Sequence, residues 1–65
     1  MIDDYICESD DGYKFSLKAE CISDALDRVE SYLGRVTYFH FDDKSVLHVK
    51  FDGFRSGDYR LYKIS

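Results

Sequence analysis

The chain is short, 65 residues with a net charge of −4, and a domain of this size buries only about 60% of the surface its unfolded form exposes, so its stability margin is thin. A composition of 45% hydrophobic and 17% aromatic residues excludes intrinsic disorder, and two cysteines are too few for a disulfide-stapled secreted scaffold. An acidic balance with pI near 4.9 also argues against a general nucleic-acid binder, which presents a basic face.

The first residues, "MIDDYICESD", lack the basic start and apolar run of a signal peptide. No stretch of the chain approaches the ~20 apolar residues of a membrane span. A cytoplasmic, reducing setting is expected, with no membrane contact and with Cys7 and Cys21 free.

The first element is a hairpin, "DYICESDDGYKFSLKA", because Asp-Gly tolerates the positive φ angles of a tight turn. A two-residue loop at Asp11-Gly12 pairs Asp10 with Tyr13, Glu8 with Phe15, Ile6 with Leu17 and Asp4 with Ala19. That register assigns Ile6, Phe15, Leu17 and Ala19 to the core and Tyr5, Cys7, Ser16 and Lys18 to the other face.

"CISDALDRVESYLG" is a helix. Ile22, Ala25, Leu26, Val29 and Leu33 recur at the spacing of one buried stripe. Ser23 is a better capping oxygen than Cys21, and Asp24 falls where the helix dipole favours an anion. Gly34 is the C-terminal stop.

"RVTYFHF" and "SVLHVKFD" both alternate with the period of half-buried strands. Matching their apolar sides sets Phe41 opposite Leu47, Phe39 opposite Val49 and His40 opposite His48, with Thr37, Phe39 and Phe41 facing the core. A two-residue turn at Asp43-Lys44 would slip the register and bury His48, so the loop has three or five residues. After the glycine-flagged "DGFRSGD", "YRLYKIS" forms a last strand of ambiguous facing, Tyr59 and Leu61 pointing one way, Tyr62 and Ile64 the other. The order ββαβββ predicts one α+β domain over residues 1–65, a helix packed on an antiparallel sheet in two layers. Strand order does not follow from the pattern.

Chemistry-bearing groups are few. His40 and His48, with Asp42 or Asp52, invite comparison with a zinc site, but neither cysteine falls near them and a polar outer strand face accounts for both. No motif pairs a cysteine with a histidine, and there is no Gly-rich phosphate loop. We expect no catalytic residues, no metal and no cofactor.

Charge is the strongest signal. Residues 1–34 hold nine acids against three bases, net −6, while residues 35–65 hold four acids against six bases, net +2. Such asymmetry points to a charged partner. Asp24, Asp27 and Glu30 recur along the helix, and Asp3, Asp4, Asp10 and Asp11 cluster on the first hairpin. Like charges at this spacing cost a few tenths of a kcal/mol each, roughly, which a small domain keeps at some expense. The opposite reading rests on Arg55, Arg60 and Lys63 interleaved with Phe54, Tyr59 and Tyr62, able to hold phosphates and stack bases. A third reading is self-association through "YRLYKIS" as an exposed edge.

The length, the acidic stretches "DDYICESDD" and "SDALDRVE" and the proline-free hairpin–helix–sheet layout resemble the small acidic single-domain inhibitors encoded by phages and mobile elements, anti-CRISPR proteins and DNA mimics among them. That resemblance implies blockade of a basic, nucleic-acid-handling protein, by a monomer or homodimer, with no direct nucleic-acid contact. The implied contact residues are Asp3, Asp4, Asp10, Asp11, Asp24, Asp27 and Glu30.

Overall fold

The computed structural model describes residues 1–64, which form β1 (Asp3–Ser9), β2 (Lys14–Ala19), α1 (Ile22–Leu33), β3 (Arg35–Phe41), β4 (Leu47–Asp52) and β5 (Gly57–Lys63). All strand pairings are antiparallel, in the order β2-β1-β5-β4-β3, with the helix on one face. This is the expected α+β layout.

The last strand therefore lies at the centre of the sheet, joining two hairpins, and is not an exposed edge. Its ambiguous facing has a physical meaning: a central strand meets apolar neighbours on both sides. Tyr59 and Leu61 are buried under the helix, while Tyr62 is half-buried on the open face.

The first hairpin departs from its expected register by one residue. Glu8 pairs with Lys14, Cys7 with Phe15 and Tyr5 with Leu17. The loop holds three residues, with Ser9 N–H donating to Tyr13 O at 2.8 Å and Gly12 at φ 95°, the form in which a left-handed residue closes a bulged turn. The two-residue loop would have set Asp4 and Glu8 on the core face, opposite Ala19 and Phe15. The extra residue turns both carboxylates outward and brings Tyr5 and Cys7 into the core, where desolvation makes an acid costly and an apolar ring favourable. Ile6 moves to the open face.

The second hairpin has the expected register, Phe39↔Val49, His40↔His48 and Phe41↔Leu47. Asp42 N–H donates to Val46 O at 3.0 Å, and Ser45 takes φ 65° at the turn. A bulge lies between Val36 and Tyr38.

Ala25, Val29 and Leu33 of the helix pack on Tyr5, Cys7, Ala19, Leu47, Val49, Phe51, Tyr59 and Leu61. Each large apolar side chain so buried favours folding by about 1.5–3 kcal/mol. Cys21, not Ser23, occupies the N-cap and makes no side-chain bond; Asp24 instead reaches back to accept Glu20 N–H at 3.0 Å. At the other end Gly34 (φ 122°) abuts Gly53, and a Cβ there would collide with the Asp52 carbonyl. Arg55 N–H caps the Leu33 carbonyl at 2.9 Å. Helix and strands thus meet through two glycines.

The helix lies over β2, β1, β5 and β4 and meets β3 only at its start, where Val36 packs against the core, leaving Tyr38 to Phe41 uncovered. Phe39 and Phe41, expected in the core, share a face with Val49 and Leu47 yet stay 55% and 53% exposed, and the bulge puts Val36 against the core in place of Thr37, which is exposed. One helix about 10–12 Å wide cannot roof five strands spaced about 4.8 Å apart. No helix among the described residues is long and apolar enough to cross a membrane.

Candidate functional site

The sheet order brings the acidic start of the chain beside its basic end. Arg60 sits opposite Glu8 and bonds Asp10 at 2.6 Å and Glu8 at 3.6 Å; Lys63 reaches Asp3 at 3.5 Å, and Arg55 reaches Asp11 at 3.7 Å. Within the first hairpin Lys18 pairs with Asp4 at 2.8 Å. Tyr62 donates its hydroxyl to Glu8 at 3.0 Å, and this bond lifts the phenol above its ordinary range. Exposed pairs of this kind contribute little stability, but they do set where net charge appears. The four acids singled out on β1 and its turn each have a cation of their own chain within 4 Å.

Asp11 also serves the turn, accepting from the Ser9 hydroxyl and from Tyr13 N–H at 3.2 Å; those bonds hold its carboxyl below the usual value. The same pairing engages Arg55, Arg60 and Lys63, the cations of the nucleic-acid reading. The Arg55 guanidinium also rests 3.9 Å above the Tyr13 ring.

The helix differs. Asp24 is held below the ordinary carboxylate range by Glu20 N–H and then by Arg28 at 3.2 Å. Glu30 accepts Val36 N–H at 3.2 Å, tying the helix to β3. Asp27 is exposed and has no partner among the described residues. Residues 20–33 hold four acids against one base, net −3; the remaining chain holds nine acids against eight bases, net −1. Most of the net charge therefore sits on the helix and the residue leading into it. The seven expected contact acids do not form one surface. Asp4 and Asp10 lie on the open face of the sheet, and Asp24, Asp27 and Glu30 lie on the opposite layer. Glu20 joins the helix group, and the sequence reading missed it because it precedes the periodic stripe.

On the open face, one row crosses all five strands: Lys14, Glu8, Arg60, His48, His40. The two imidazoles stack with centroids 4.9 Å apart and planes within 6°. Ring lone pairs lie in the ring plane, so parallel stacked rings do not aim at a common metal. His48 Nε2–H donates to Asp42 at 2.9 Å. Asp42 also accepts Lys44 N–H at 2.8 Å and Val46 N–H at 3.0 Å; the His48 bond and these amides hold its carboxyl down to about 2. No cluster of three metal-ligating side chains forms among the described residues. Cys7 is buried and its thiol is pushed up to about 12 by desolvation and by Glu8, so it is a poor nucleophile; Cys21 is exposed, and both are free.

Also missed was the aromatic edge. Tyr38, Phe39 and Phe41 are all more than half exposed on β3. Its signal in the sequence was the run from Val36 to Phe41, which has no charge and no proline. Comparison with protein-family models, with curated proteins and with solved structures found no match.

Proposed function

We propose that the protein is a small acidic protein-binding module that blocks a basic, nucleic-acid-handling protein through its helix. The observation that carries this reading is the segregation of charge: internal pairing quenches the acids of β1, and residues 20–33 retain a net −3 of the total −4. Of the acids first singled out, Asp24, Asp27 and Glu30 carry the contact, joined by Glu20; Asp3, Asp4, Asp10 and Asp11 serve the sheet. Carboxylates on one helix side stand about 5–6 Å apart and offer a basic groove a row of charge in place of phosphates. Long-range attraction of this kind raises the rate of encounter and weakens with salt. The reading makes the protein an inhibitor of the anti-CRISPR or DNA-mimic type, cytoplasmic and without enzymatic activity of its own.

The test is capture of partners from a nuclease-treated lysate, followed by competition with duplex DNA. A nucleic-acid-handling protein should be retained at low salt and displaced by DNA. The triple variant D24N/D27N/E30Q keeps each hydrogen-bond acceptor and removes the charge, and it should lose that protein, while D4N/D10N keeps it. Equal capture by the helix triple would overturn the reading. Binding of oligonucleotides by the purified protein, lost in R60Q/K63Q, would transfer it to the basic strands.

A further inference from the structure

We infer that β3 is a self-pairing edge, through which two copies of this chain join their sheets across a two-fold axis centred on Phe39. This is independent of the helix reading, since it uses neither the helix nor its acids. Three observations carry it.

The first is backbone. Asp42 N–H bonds Val46 O, so in the alternation of an antiparallel ladder His40 and Tyr38 direct their N–H and C=O groups to β4. Phe39 and Phe41 direct theirs outward. An outward-facing pair centred on Phe39 lets each Phe39 exchange both bonds with its counterpart.

The second is apolar surface. Phe39 and Phe41 are 55% and 53% exposed on the helix side of the sheet, beyond the reach of α1. A two-fold axis perpendicular to the sheet keeps both helices on one face. Phe39 then meets Phe39, and Phe41 lies toward the bulged start of the other copy's β3. The four phenylalanine rings form one row between the two helices, in the space a single helix leaves open.

The third is charge. Over residues 35–44, Arg35 and Lys44 balance Asp42 and Asp43, so this edge is neutral on a chain of net −4. Antiparallel pairing about Phe39 carries Arg35 of each copy to the Asp42-Asp43 end of the other. The contact is isologous and self-complementary, as closed dimers require. It accepts a second copy better than an arbitrary strand, which would leave Arg35 and Asp43 without opposite charges.

The experiment is sedimentation of the full chain over a concentration series. One shared edge lies at the small end of stable interfaces, so the dimer should dissociate at roughly micromolar concentration. A species of twice 7.6 kDa is expected above that. Phe39→Lys, with Phe41→Lys as a second variant at the same edge, should weaken the dimer by at least about tenfold with unchanged circular dichroism, as edge lysines do. Phe54→Lys, at a residue 86% exposed in the β4–β5 loop, should leave it intact. Arg35→Glu and Asp43→Arg should each weaken association, and R35E/D43R together should restore it. A monomer at every concentration, a dimer that both edge lysines leave intact, or a double swap that restores nothing would overturn the proposal.

Discussion

The sheet has two edges, and they are built on opposite principles. β2 lies under the helix and carries Lys14 and Lys18. Self-pairing of that strand about Ser16 would bring Lys14 of one copy against Lys18 of the other, a like-charge contact on both sides of the axis. β3 beyond its bulge has no roof and, between Arg35 and Asp42, no charge. Edge protection is a local sequence property. A guarded edge needs one or two lysines, and an edge left with Tyr, Phe, His and Phe stays open to pairing.

The largest expected difference is between a site under the helix and a site on the open edge. Leu33→Ala empties a buried position beneath the helix and should cost about 3 kcal/mol in urea denaturation. Phe39→Ala removes a larger ring from β3 and should change stability by less than about 0.5 kcal/mol. Comparable losses at the two sites would mean that β3 is covered after all.

A smaller effect concerns what holds β3 in place of a roof. Its turn depends on Asp42, whose carboxyl lies at about 2 against an ordinary 3.8. A depressed carboxyl stabilises the folded state above its unfolded value, so this contribution is complete above about pH 4 and lost as pH falls through about 2. Thermal melts between pH 5 and 2 should show wild type and Asp42→Asn converging as the pH drops. A gap between them that stays constant would remove Asp42 from this role.

The smallest effect is at the guarded edge. Lys14→Thr with Lys18→Thr should leave the fold unchanged and add weak association beyond the dimer, about 1 kcal/mol or less, read by sedimentation at high concentration. No change in association would show that the helix, not the lysines, protects β2.

The first hairpin and the second show why some registers were legible and others not. At Phe39, Phe41, Leu47 and Val49 the apolar residues of both strands demanded one alignment, which His40 and His48 confirm by lying opposite. At Asp11-Gly12 the dipeptide favoured a tight turn, whereas Tyr5 and Cys7 on one strand and Phe15 and Leu17 on the other needed one more residue. Packing under a helix outweighs turn preference, because a one-residue slip would bury two carboxylates.

By itself the sequence determined the helix, its buried stripe, its glycine stop and the presence of five strands, since those depend on neighbours three or four positions apart or on alternation by two. Tertiary structure alone decided that β5 lies between β1 and β4. That placement is non-local, and the charge map follows from it. Acids at one end of the chain and bases at the other read as two opposed surfaces along the sequence, yet antiparallel pairing of β5 with β1 sets Arg60 against Glu8 and Asp10. Most of the net charge that survives, −3 of −4, lies on the helix and on Glu20 leading into it, whose outer side has no strand beside it to supply cations.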